Sequence, residues 1–285
     1  MFPRARFLPL AAAIPFAGCA LVVGIRDTTD EAAEAGSGID AARDAGANPD
    51  AIADAPFDGD SASSQSFCQS STHTFCDDFD EQPLGAIWGN TSPEYPGALF
   101  LDDAAAFSAP RSLSVTSVPD AGDPPESVIT KKLPGTWKAA FLDLDVRVDQ
   151  LPSSTGITTA FTEICFPVPG GPNWHLQIHQ YKDQTELEEL HYGYPDGGYA
   201  YRYLPLANAF TPGKWSHVHL EVTAVTGTKP PHARFVVDGA TLYDKDLVEI
   251  WQPTGLEVNL GSYGQWFGVE PWHMHYDNVT IDVTP

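Results

Sequence analysis

For residues 67–285 the sequence predicts an all-β fold, two antiparallel sheets packed face to face, on three observations. Apolar residues recur there with period two, as on strands with one buried and one wet face. Clusters of Gly, Pro and Asp punctuate the runs as turns do. No segment carries the 3.6-residue apolar stripe of an amphipathic helix, and a parallel α/β sheet would need such helices for its crossovers. About twelve short strands suffice for a two-sheet sandwich.

Composition narrows the partners. The chain has 38 Asp and Glu against 15 Lys and Arg, a formal charge of −23. That acidity speaks against nucleic acid and against attachment to anionic lipid through a basic patch. A hydrophobic content of 42% and an aromatic content of 11% are enough for a packed core.

Residues 1–18 have the layout of an export signal: Arg4 and Arg6 precede an apolar stretch from Phe7 to Gly18. Phe16-Ala17-Gly18-Cys19 resembles a bacterial lipobox, with Phe16 in place of the usual Leu. The resemblance implies a lipidated Cys19, a membrane partner reached through that lipid, and, with Ala20 following, sorting to the outer membrane of a bacterial envelope. Residues 19–66 then read as a tether. From Asp27 to Asp60 ten acidic residues face only Arg43, and no aromatic precedes Phe57. Such a segment cannot bury enough apolar surface to offset its ordering entropy, and like charges extend it.

In the domain, the clearest strand is Leu142 to Asp149, where apolar and charged residues alternate; Asp143, Asp145, Arg147 and Asp149 form its wet face. Val218, Leu220 and Val222 alternate with His217, His219 and Glu221. Trp174, Leu176 and Ile178 alternate with His175, Gln177 and His179, and Val279, Ile281 and Val283 close the chain. Turns are expected at Gly170-Gly171-Pro172, Pro195-Asp196-Gly197-Gly198, Lys229-Pro230-Pro231 and Asp238-Gly239.

With Cys19 assigned to lipid, an odd three cysteines remain. Cys68 and Cys76 enclose seven residues where the tether meets the domain, so a disulfide there suits an oxidising envelope. Cys165 is then a buried free thiol, although a Cys76–Cys165 pair stays open.

Four segments carry a family resemblance. Phe75-Cys76-Asp77-Asp78-Phe79-Asp80 with Trp88, Gly213-Lys214-Trp215-Ser216-His217-Val218, Phe235-Val236-Val237-Asp238-Gly239 and Tyr276-Asp277-Asn278-Val279-Thr280-Ile281 resemble, in order, concanavalin A-like (LamG-like) lectin and glucanase domains. The resemblance implies a jelly roll whose concave face receives carbohydrate in many relatives. Fold of this kind does not fix function.

The functional expectation is carbohydrate recognition without catalysis. Sugars stack on aromatic rings flanked by hydrogen-bonding groups, and Trp174, His175, Gln177, His179 and Tyr181 form such a set, with Trp266 and Trp272 placed on a loop of the same cleft. Core packing is the competing role for Trp174. A polysaccharide-cleaving enzyme and a purely structural envelope module are the alternatives. Glu186-Leu187-Glu188-Glu189-Leu190 falls short of a glucanase carboxylate motif and reads as a solvated edge or hairpin. Gln177-Ile178-His179 resembles the Gln-Ile-His signature of jelly-roll alginate lyases, but the Arg-x-Glu and Tyr-Phe-Lys-x-Gly strands of those enzymes are missing. His217 with His219, His273 with His275, and His175 with His179 share faces that could suit a metal, yet read as surface residues. Asp77 and Asp277 share parity with buried positions. A structural Ca²⁺ held by Asp77 or Asp78 with Asp277 is one way to satisfy them, backbone amides the other; no other cofactor is expected.

Overall fold

The computed structural model describes residues 66–92, 98–117, 127–151, 153, 158–167, 173–192, 199–224, 229–247, 253–266 and 271–285. The segments read from the sequence as an export signal and an acidic tether, and Cys19 with its expected lipid, all fall outside these residues.

A 3₁₀ turn, Phe67–Ser70, opens the described chain, and everything regular after it is strand. In chain order the strands are β1 (Phe75–Asp77), β2 (Asn90–Ser92), β3 (Leu99–Asp102), β4 (Ser112–Ser117) and β5 (Ser127–Pro134). Next come β6 (Ala139–Gln150), β7 (Thr158–Phe166), β8 (Asn173–Gln180), β9 (Thr185–Tyr192) and β10 (Tyr199–Leu206). The last are β11 (Trp215–Thr223), β12 (His232–Val237), β13 (Ala240–Asp246), β14 (Gly255–Trp266) and β15 (Trp272–Thr284).

They form two wholly antiparallel sheets. Sheet A runs β13-β12-β11-β6-β15-β4-β3, with β1 also pairing with β15; sheet B runs β10-β9-β8-β7-β14-β5-β2. The all-β sandwich expected from period two is therefore the fold.

One continuous apolar core fills the space between the sheets. Leu142, Leu144, Val146 and Val148 on β6 and Val218, Leu220 and Val222 on β11 face Ile164 and Phe166 on β7 and Trp174, Leu176 and Ile178 on β8. The Asp238-Gly239 turn joins β12 to β13 with both residues at positive φ, 49° and 77°, as a two-residue hairpin of matching twist requires. Gly261 on β14 has φ 130°, and an added Cβ would lie 2.0 Å from the Ser127 carbonyl oxygen, so the approach of β14 to β5 admits only glycine.

The entry to the domain is stapled as expected: Cys68 and Cys76 form a disulfide with Cα atoms 5.6 Å apart. Cys165 departs from expectation. It is fully buried but joined in a disulfide, and none of the described cysteines is a free thiol. The free-thiol reading followed from setting Cys19 aside for lipid, which left an odd count.

Candidate functional site

The face of sheet B turned away from the core is built from polar side chains, and it is buried. Strand pairing lines up Thr130 of β5, Asn259 of β14, Glu163 of β7, Gln177 of β8, Glu188 of β9 and Tyr203 of β10 as one row across the sheet. A parallel row brings His175 beside Cys165 and Leu190, and a third brings His179 beside Ala160 and Glu186. Tyr263 takes the register position beyond Ala160 in that third row. The period-two pattern of β8 explains the arrangement: Trp174, Leu176 and Ile178 fill the core, which forces His175, Gln177 and His179 to the opposite face.

A chain of hydrogen bonds ties the middle of this face together. Thr130 Oγ1 donates to Asn259 Oδ1 at 2.7 Å, and Asn259 Nδ2 donates to Glu163 Oε2 at 3.3 Å. The other Glu163 oxygen meets His175 Nδ1. Lys132 Nζ pairs with Glu257 at 2.9 Å. Tyr181, just past β8, donates its hydroxyl to Glu186 Oε1 at 3.2 Å.

His179 is the chemically distinctive member. It is 1% exposed, and its Nε2 lies 2.8 Å from Glu188 Oε2 and 3.0 Å from Gln177 Oε1. Both neighbours are acceptors, so Nε2 carries the proton and Nδ1 keeps a bare lone pair. That Nδ1 is buried and has no hydrogen-bond partner. A carboxylate orienting an imidazole whose other nitrogen has no partner is the arrangement of a general base, here one that a substrate reaches only when the cover over that nitrogen moves.

Two tyrosines flank the site on β10. Tyr201 and Tyr203 stack nearly parallel, ring centroids 6.1 Å apart at 3°, and stand 41% and 38% exposed. They lie on the same face as Leu190 and Glu188 by register.

The structure corrects several sequence readings. Glu186 and Glu188 are not a solvated edge; both are buried, because β10, which the sequence pattern did not single out, pairs along β9. Glu189, on the core side of β9, is fully buried and held by Trp174 Nε1 at 3.2 Å and by Arg202 at 3.4 Å. Trp174 is thereby a core residue that reaches a carboxylate from inside, and not part of the outer face. Trp272 is likewise core, on β15 of the other sheet and not on a cleft loop; the side chain of Trp266 lies outside the described residues. His175, Gln177, His179 and Tyr181 do gather as the pattern indicated. His175, His179 and His275 are buried and not surface residues, whereas His217 is half exposed. Glu163 and Asn259 carried no sequence signal, since only the register of β7 and β14 brings them to β8.

The three aspartates considered for calcium are each taken up by protein donors. Asp77 accepts from Trp88 Nε1 at 2.6 Å and from the Phe79 amide at 2.9 Å; burial nevertheless raises its pKa. Asp78 accepts from the Cys68 amide at 3.0 Å. Asp277 accepts from the amides of Phe107, Ser108 and Asn278 and from the Ser108 hydroxyl, while burial pushes its pKa up to about 7. Among the described residues, Asp149 with His273 and His275 form a convergent metal-ligating group elsewhere; Glu163 and His175 also converge, but on Cys165, whose sulfur is taken up in a disulfide.

No known family model matches the sequence, and no curated protein matches it. The fold, by contrast, has many solved counterparts. An endo-β-1,4-glucuronan lyase from the fungus Trichoderma reesei superposes with a TM-score of 0.60 at 16% identity, covering 75% of this chain and 96% of that one. A Bacteroides ovatus GH16 protein from a mixed-linkage glucan locus, solved with its G4G4G3G product, gives 0.50 at 11% identity over 73% and 99% of the two chains. The two-sheet antiparallel sandwich is thus a fold that this chain shares with these two proteins.

Proposed function

We propose that this protein cleaves a uronate-containing polysaccharide by β-elimination on the outer face of sheet B, with His179 as the base. The observation that carries the reading is the buried, unpartnered Nδ1 of an imidazole whose Nε2–H is held by Glu188. In the elimination, Nδ1 takes the proton from C5 of the uronate, the C4–O4 bond breaks, and a C4=C5 double bond forms. The imidazolium, steadied by Glu188, returns its proton to the departing O4. Proton transfer by a positioned group of this kind is worth about 10²–10⁴-fold in rate. The jelly-roll likeness to a glucuronan lyase supports the class of reaction.

The charge of the face shapes the substrate. Glu163, Glu186, Glu188 and Glu257 stand against Lys132, so a densely charged polyuronate is repelled, and a chain with sparse or esterified carboxyl groups fits better. Tyr201 and Tyr203 offer sugar rings a stacking platform at the sheet edge. That platform also supports the second reading, recognition without cleavage. A panel of uronate and neutral polysaccharides incubated with the full chain separates the two. Unsaturated ends, detected by their absorbance, establish elimination; reducing ends without unsaturation point to hydrolysis by the glutamates, and binding with neither product leaves a recognition domain.

For location we propose export to a bacterial envelope, with residues 19–66 as the spacer. Lipid on Cys19, which would anchor the chain in the outer membrane, competes with a disulfide to Cys165, because Cys68 and Cys76 already pair with each other. Mass spectrometry of the N-terminal peptide from membranes tests it: acyl chains on Cys19 support the anchor, and Cys19 recovered in a disulfide overturns it.

A further inference from the structure

The polar face of sheet A holds a second cluster, remote in sequence from the His179 site and unrelated to it in chemistry. Asp149 on β6 and His273 and His275 on β15 bring one ligand atom each within 4.8 Å of one another. A bulge makes this possible. His273 pairs with Gln150 and Met274 with Val148, so Asp149 is the extra residue and is left without a ladder partner. Bulges re-aim side chains, and this one turns Asp149 toward the two imidazoles. Its Oδ2 lies 3.1 Å from His275 Nε2 and 3.8 Å from His273 Nδ1. Ligands about 2.0–2.1 Å from a tetrahedral ion stand roughly 3.3 Å apart, which these separations bracket.

The surroundings fix the imidazoles as ligands are fixed. His273 Nε2 meets Ser114 Oγ at 3.0 Å, and His275 Nδ1 meets Ser112 Oγ at 3.2 Å. The Ser112 hydroxyl donates to the Ala105 carbonyl, so toward His275 it accepts, and Nδ1 carries the proton. In the neutral ring, His275 Nε2 therefore points a lone pair at a carboxylate oxygen 3.1 Å away. Two acceptors facing each other at that distance call for a cation between them. Arg147 Nε occupies the other Asp149 oxygen at 2.5 Å and leaves Oδ2 for the shared ion. Held outer nitrogens and a tethered carboxylate are the usual second layer of a histidine metal site.

We propose that Asp149, His273 and His275 bind a divalent transition ion of the zinc class on the outer face of sheet A, clamping β6 to β15 and leaving a position open to solvent beside the half-buried His273. Imidazole donors select Zn²⁺, Co²⁺ or Ni²⁺ over Ca²⁺.

The experiment is a Co²⁺ and Zn²⁺ titration of the chelator-treated full chain, read by Co²⁺ absorption and by calorimetry. One saturating ion per chain is expected, weakened at least tenfold by His273→Gln and by Asp149→Asn, and unchanged within twofold by His217→Ala. Ca²⁺ should give no saturable binding. Melting temperatures of the metal-free variants, set against the metal-free parent, show that each still folds. Absence of saturable binding would mean that a shared proton closes the cluster and would overturn the site. Binding that survives both substitutions would place the ion elsewhere, for instance at His217 and His219 beside Asp143, and would overturn it equally.

Discussion

The outer faces of the two sheets draw on the same residue types and put them to different uses. On sheet B, His175, His179, Glu163 and Glu188 are all more than nine-tenths buried and joined in two pairs, Glu163 with His175 and Glu188 with His179. On sheet A, His217 and His219 pair with Asp143 and Asp145 across β6 and β11 with their rings largely or partly open to water. Alternation along a strand cannot separate these cases, because it reports which side of the sheet a residue takes and not what lies over that side. Buried polar groups are nearly always satisfied, so one left without a partner, such as His179 Nδ1, carries information that an exposed histidine does not.

The comparison sharpens first through rate. His179→Ala should cut unsaturated-product formation about 10²–10⁴-fold in the full chain, while His217→Ala leaves it unchanged within twofold. Equal losses in both variants would mean that the contrast between the faces has no catalytic meaning.

Next in size is the pH dependence of stability. Burial lifts the Asp277 carboxyl from 3.8 to about 7 in the folded protein, above its value in the unfolded chain. The native state then binds more protons between about pH 4 and 7, so the contribution of this group is full at the acid end and lost as pH rises through 7. The unfolding free energy should fall between pH 5 and pH 8 by on the order of a few kcal/mol at this group, lowering the melting temperature, and the fall should flatten in Asp277→Asn. A parent and variant with the same slope would remove Asp277 from the account.

A third contrast concerns stability at neutral pH. Glu163→Ala strands the buried Asn259 amide and His175, and should cost about 2–3 kcal/mol by denaturant unfolding. The half-buried pair broken by His219→Ala should cost about 1 kcal/mol or less. Smaller still for the site, though not for the fold, is Cys68→Ala with Cys76→Ala. Opening so short a loop should lower stability by about 2–3 kcal/mol and leave the His179 chemistry intact.

Much of the fold was legible because one interaction, burial of every second side chain, dictates it. Leu142 to Val148 and Val218 to Val222 became strands with one apolar face, as their patterns required. The site was legible only along β8, where Gln177 and His179 stand two apart on one strand. Its other half comes from β7, β9 and β14, and pairing register between distant strands leaves no local mark. Glu188 shows the cost of reading it alone: in sequence it belongs to an acidic run, and only β10 on one side and His179 on the other make it a buried partner. Trp174 was misplaced for the converse reason, since its parity matched the core while its indole nitrogen found Glu189 there.

The most direct test pairs cleavage with binding in a single substitution. With the polysaccharide that the parent binds, unsaturated ends should accumulate for the parent and vanish for His179→Ala, while calorimetry gives the same affinity for both. A parent that binds the chain and yields no unsaturated ends would contradict the proposed base and leave sheet B as a surface for recognition alone.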